Sequence, residues 1–138
     1  MFLHLLDGAQ RRELCRAALY VVAADGVVDL REEDALAQVR AELGFLDPDD
    51  LPRPPRDQDD LLDGLEVFDT PQRRRVLVLQ LLILVLADDE QEERELEVLA
   101  AVCRRLDVSR AEVGRLRELA RRILALRADG LELLAGPD

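Results

Sequence analysis

Residues 76–87 read VLVLQLLILVLA, and this stretch decides the fold class. Only Gln80 interrupts its apolar residues, which therefore cover nearly every face of a helix. A helix that is apolar all round is normally buried, so we expect the other helices to surround this one. The run covers 12 residues, whereas a membrane-spanning helix needs about 20. Thr70-Pro71 supplies an N-cap and a first-turn proline, and we expect the central helix to cover residues 70–87.

Helix signals recur along the rest of the chain, and strand signals hardly occur. Gln10 lies three residues after Asp7, as in a capping box, and Ser109 and Glu112 have the same spacing. Gly44 suits the left-handed position after a helix. The patterns predict six helices: Asp7 to near Gly26, about Leu30 to Leu43, Asp59 to about Val67, 70–87, about Gln91 to Arg105, and Ser109 to about Arg127. A further short turn is expected at Asp47-Pro48 and another at Leu131–Leu134.

The sequence predicts one all-α domain over residues 1–138, a compact bundle of six to seven helices. Three prolines in PRPPRDQ, residues 52–58, cannot continue a helix, so this segment is expected to be a loop. Cys15 and Cys103 each lie in an apolar helical pattern without metal-site spacing, and we expect both to be buried. His4 is the only histidine, near the N-terminus, and we expect it to have no functional role.

The net charge of −11 limits the possible partners. Phosphate backbones and anionic membranes repel such a chain, so we expect no nucleic-acid partner and no membrane insertion. The start MFLHLL lacks the basic region and the length of a signal peptide, which favours a cytoplasmic protein. No nucleophile has a plausible base beside it, and no glycine-rich phosphate loop is present. We therefore expect no enzymatic activity.

The chain matches itself at an offset of 63 residues, without gaps, over more than twenty residues. Asp25 aligns with Asp88, and Leu43 aligns with Leu106. Each copy is an apolar helix, an acidic turn and an amphipathic helix, and the repeat halves cover about residues 10–46 and 73–109. We therefore expect a two-fold pseudo-repeat around the central helix, with the two acidic turns in equivalent positions.

The first acidic turn is AADGVVDLREEDAL, residues 23–36. Asp25-Gly26 suits a helix end, and Asp29 with Glu32 has the spacing of a capping box. The two turns nevertheless hold more carboxylates than caps require, and carboxylates held close together repel one another without a cation. Hard cations such as Ca2+ or Mg2+ take oxygen ligands of this kind. The residues leave these interpretations open: a weak cation site, or, without a metal, solvated caps or an acidic patch that faces a partner.

The repeat resembles the TerB-like family, which is named after a tellurite-resistance protein and includes the N-terminal domain of a DnaJ-type co-chaperone. The family pattern is an apolar helix ending in A-D-G-x-(V/I)-D, then E-E and an amphipathic helix, with a second copy some sixty residues later. The first copy here is AALYVVAADGVVDLREEDALAQVRAELGF, residues 17–45, and the second is LLILVLADDEQEERELEVLAAVCRRLDVSRAEV, residues 81–113. In the second copy Asp89 stands in place of glycine, and Glu92 stands in place of the second aspartate.

The resemblance implies an all-helical bundle, a role in stress caused by tellurite or other toxic agents, and no catalysis. It also implies a divalent cation, Ca2+ or Mg2+, held by acidic residues of the two turns: Asp25, Asp29, Glu32, Asp88, Glu92 and Glu95. We expect a stress-response or interaction module with a protein partner. The alternative is a scaffold protein that docks a basic partner on its acidic face without a metal.

Overall fold

The apolar stretch forms the centre of an all-helical fold, as predicted. The computed structural model describes residues 2–22, 37, 39–44, 52–87 and 93–136, and it buries every side chain from Val76 to Val85. The described helices are α1 (Gly8–Val22), α2 (Gln58–Gly64), α3 (Pro71–Leu86), α4 (Glu93–Arg105) and α5 (Arg110–Ala135), with a further helical segment at residues 39–43. Single 3-10 turns cover Leu3–Leu5 and Leu65–Val67. The described ranges contain no strand.

Helix α3 is the scaffold on which the other helices pack. α1, α4 and α5 all contact it, and α5 does so most extensively. An ion pair at the surface adds to this packing, because Arg75 of α3 donates to Glu112 of α5 at 2.7 Å. None of the described helices has the combined length and hydropathy needed to cross a lipid bilayer.

Local capping sets where three of the helices begin, and the sequence located these caps correctly. Asp7 and Gln10 form a reciprocal capping box, with hydrogen bonds of 2.8 and 3.0 Å between backbone N–H groups and side-chain oxygens. Thr70 Oγ1 accepts from the N–H of Arg73 at 3.2 Å, in front of Pro71. The predicted box of Ser109 and Glu112 is also present. Each cap satisfies N–H groups that the helix itself leaves without a partner.

One predicted helix end was wrong, and another predicted helix is divided in two. The third predicted helix is divided into α2 and a 3-10 turn, and its N-cap is Asp57, whose carboxylate accepts from the N–H of Asp60 at 2.8 Å. The last helix does not stop near Arg127 before a separate turn, because α5 continues unbroken to Ala135. Predictions for the acidic turns, for Asp47-Pro48 and for the helix ends beside them fall outside the described residues.

Three consecutive arginines at the start of α3 bind nearby acceptors rather than forming a free basic patch. Arg73 lies 3.2 Å from Asp69, and Arg74 Nε donates to the carbonyl oxygen of Phe68 at 2.8 Å. Arg75 pairs with Glu112 across the helix interface. These contacts compensate for placing cations at a helix N-terminus, where the dipole disfavours them.

Candidate functional site

Of the six predicted cation ligands, the described residues include only Glu95. It lies in the first turn of α4 and is 1% exposed. Asp25, Asp29, Glu32, Asp88 and Glu92 fall outside the described residues, so the cation site stays a prediction. Within the described part of the chain, no three metal-binding side chains lie together.

Both cysteines are buried and free, as predicted. Desolvation by burial raises the pKa of the Cys15 thiol and of the Cys103 thiol above their ordinary values. Burial therefore opposes the thiolate form, which is the nucleophilic and metal-binding form of cysteine. His4 is exposed in the first 3-10 turn.

A groove with a volume of about 560 Å³ lies between α4 and the first half of α5. It is hereafter called the α4–α5 groove. Its floor is apolar and consists of Leu96, Leu99, Cys103, Val108 and Val113. Three arginines border it: Arg104, Arg110 and Arg117.

The turn between α4 and α5 explains why a groove forms at this place. Asp107 takes a left-handed conformation, with φ of 56°, and its N–H donates to the carbonyl oxygen of Arg104 at 3.2 Å. The N–H of Val108 donates to the carbonyl oxygen of Cys103 at 3.0 Å, which completes a Schellman-type helix end. The Ser109–Glu112 capping box then starts α5 at once. Both helices pack on α3, but they scarcely touch each other, and the space between them stays open.

Gly114 keeps the middle of the α4–α5 groove unfilled. It lies within α5, and a Cβ atom built on it meets no atom within 4 Å. Its conformation is helical, so this position demands no left-handed backbone. A larger side chain at residue 114 would therefore occupy the groove without distorting the helix.

The border of the α4–α5 groove is basic, although the whole chain is acidic. Arg104 and Arg110 are exposed and Arg117 is half-buried. None of the three forms an ion pair with another described residue. Arg117 and Arg104 are close enough to the Cys103 thiol to act on its pKa, in the direction opposite to that of burial.

Sequence reasoning missed this groove because its residues come from two helices whose spacing depends on how each packs on α3. The available signal was Gly114, a glycine inside a strong helical pattern with no turn to explain it.

Comparison of this chain with protein-family models, with curated proteins and with solved structures gave no match.

Proposed function

We propose that this chain is a non-catalytic, TerB-like interaction module that holds an acidic amphipathic helix of a partner protein in the α4–α5 groove. The observation that carries the proposal is the combination of an apolar floor with three arginines that have no ionic partner among the described residues. Grooves of this kind bind helices that insert apolar side chains at positions i, i+3, i+4 and i+7.

Charge favours an acidic partner at this groove. Arginine guanidinium groups bind carboxylates in a bidentate way, and such bonds are among the stronger hydrogen bonds in proteins. The net charge of −11 opposes an acidic partner at long range, but salt screens charges beyond about 8 Å at physiological ionic strength. Arg104, Arg110 and Arg117 therefore dominate the interaction once the partner is seated.

A peptide titration tests this proposal. The probe is a fluorescent amphipathic helical peptide with leucines on one face and glutamates beside them, and the control peptide has lysines in place of the glutamates. We expect the acidic peptide to bind and the lysine peptide to bind at least tenfold more weakly, which corresponds to about 1.4 kcal/mol. Equal binding of the two peptides, or no binding of the acidic one, would contradict the proposal.

Two variants at one residue locate the binding site. Gly114→Trp should fill the α4–α5 groove and abolish peptide binding, whereas Gly114→Ala adds a single methyl group and should retain it. Both variants should remain folded, because residue 114 is helical and a Cβ atom built on it meets nothing within 4 Å. Undiminished binding by Gly114→Trp would place the peptide elsewhere.

The TerB-like part of the proposal rests on the sequence repeat, and the helix ends at Gly44 and Asp107 support this repeat. Gly44 and Asp107 are 63 residues apart, and both are left-handed, with φ of 86° and 56°. The N–H of Gly44 donates to Ala41 O at 3.1 Å, and the N–H of Asp107 donates to Arg104 O at 3.2 Å. This hydrogen bond therefore recurs at the same offset as the sequence repeat.

The cation part of the proposal rests on the two acidic turns of the sequence. Calcium titration followed by calorimetry and thermal melting tests it, with the Asp25→Asn, Asp29→Asn double variant as the comparison. We expect heat and a raised melting temperature in the natural chain, and neither in the variant. Absence of both at millimolar Ca2+ and Mg2+ would remove the cation from the proposal.

The stress-response part of the proposal has a separate test. We expect expression of the chain in a tellurite-sensitive bacterial host to raise the tellurite concentration that the host survives. The Gly114→Trp variant should lose this protection if protection depends on the groove. A host that gains no tolerance from the natural chain would contradict a role in tellurite stress.

A further inference from the structure

The second half of α5 carries apolar side chains that nothing in the described part of the chain covers. Up to Leu124, most apolar residues of α5 pack on the core, and Ala120 and Ile123 are buried, whereas Leu119 is exposed. After Leu124 the helix continues to Ala135 without burying a further side chain. The exposed fractions rise along it, from 36% at Leu119 to 69% at Leu126 and 81% at Leu133.

These three leucines lie on one face of the helix, because they are spaced at intervals of seven residues. The face formed by Leu119, Leu126 and Leu133 is hereafter called the leucine face. Gly130 lies between Leu126 and Leu133 on the same side, and a Cβ atom built on it meets nothing within 4 Å. A second helix is therefore able to approach closely at this point.

We propose that the leucine face pairs with the same face of a second copy of this chain, in an antiparallel arrangement centred near Leu126. Charge is the first argument for a second copy as the occupant. A chain with a net charge of −11 repels its own copies over most of its surface. Residues 119–136 instead carry three arginines, one aspartate and one glutamate, a net charge of +1, so self-association at this place meets little repulsion.

The order of the charges along α5 favours the antiparallel direction. The three basic residues, Arg121, Arg122 and Arg127, precede the two acidic ones, Asp129 and Glu132. Arg122 lies four residues before Leu126 and Asp129 three residues after it, on the same flank of the leucine face. In an antiparallel pair, Arg122 of each copy therefore lies beside Asp129 of the other copy. The two-fold axis makes this contact occur twice. Among the described residues of one copy, Arg122 has only an exposed ion pair with Glu118 at 3.6 Å, and such pairs contribute little to stability.

Sedimentation equilibrium over micromolar to millimolar concentrations tests this proposal. We expect the natural chain to reach twice its 15.6 kDa mass. Leu126→Glu should leave it monomeric, whereas Ala128→Glu, which places the same charge at an exposed position on the opposite face of the helix, should not. A natural chain that stays monomeric throughout, or a dimer that survives Leu126→Glu, would overturn the proposal.

A charge exchange tests the antiparallel register. Arg122→Asp should weaken the dimer at least tenfold, because it places two aspartates opposite each other, and adding Asp129→Arg should restore it. Arg121→Asp makes the same change of charge away from the leucine face and should leave the dissociation constant unchanged. If the double variant does not recover, or if Arg121→Asp weakens the dimer equally, the register is wrong. The groove proposal is unaffected by either result, because the peptide titration monitors a different surface.

Discussion

At the scale of single residues, Gln10 shows what local sequence reasoning finds and what it misses. Its role in the capping box with Asp7 was predictable, because the two residues are three apart. Its second role was not, since it depends on residues far along the chain. The fully buried side-chain amide also donates to Val67 O at 3.0 Å and to Asp69 Oδ1 at 3.3 Å. Gln10 thereby attaches the start of α1 to the segment before α3.

Replacing Gln10 with alanine should therefore destabilise the protein more than the loss of a cap. A buried carbonyl group left without its donor costs about 1–3 kcal/mol, and the lost cap about 1 kcal/mol more. We expect the free energy of unfolding, measured in urea, to fall by about 2–4 kcal/mol. The exposed Gln72→Ala is the matched control and should change it by less than about 0.5 kcal/mol. Equal effects of the two substitutions would mean that the contacts of Gln10 contribute nothing.

Glu112 gives the fold a dependence on pH. A hydrogen bond from Arg75, followed by one from the backbone N–H of Ser109, holds the pKa of its carboxyl group below the ordinary value. At pH values between the folded pKa of Glu112 and the ordinary glutamate pKa, the folded state therefore binds fewer protons than the unfolded state. The resulting stabilisation is complete above the ordinary glutamate pKa and is lost as the pH falls through the lower, folded value.

We therefore expect Glu112→Gln to reduce the loss of stability between about pH 5 and pH 3. Urea unfolding at a series of pH values measures this loss as a slope. The exposed Glu97→Gln, in α4, is the control and should retain the slope of the natural chain. If Glu112→Gln retains it as well, the Arg75 contact does not affect stability.

At the scale of secondary-structure elements, the starts of helices were easier to predict than their ends. A helix start is determined by chemistry within four residues, as Thr70-Pro71 and the Ser109–Glu112 box illustrate. The predicted end of α5 near Arg127 was wrong, because the helix continues through Gly130 to Ala135. One glycine inside a helix costs only about 1 kcal/mol, and the strong helix formers around it, such as Leu131 and Glu132, outweigh that cost.

Alanine substitutions at two glycines with different backbone conformations test this explanation of where the helices end. Gly130→Ala should raise the free energy of unfolding by about 0.5–1 kcal/mol, because the residue is inside a helix and faces open space. Gly44→Ala should lower it by about 1 kcal/mol, because alanine is strained at a φ of 86°. Urea unfolding monitored by circular dichroism measures both. A loss of stability in Gly130→Ala would indicate that α5 ends where the sequence placed its end.

At the scale of the whole molecule, the apolar composition of one stretch of sequence identified the centre of the fold. Residues 76–85 have no polar face, and the structure buries all of them. The surfaces proposed for function were not predictable in the same way. The α4–α5 groove depends on how two helices diverge over α3, and the leucine face depends on where α5 leaves the core. Both follow from long-range packing, which spacing along the chain does not specify.

The central claim is that the basic α4–α5 groove, rather than the acidic turns, receives the partner. Amide chemical-shift mapping by nuclear magnetic resonance, with the acidic and the lysine peptide added in turn, tests it most directly. We expect the acidic peptide to shift the amides of residues 96–104 and 108–117 and to leave residues 23–36 unchanged. The contradictory result is no shift with the acidic peptide, together with shifts in residues 23–36 and 86–95 when the lysine peptide is added.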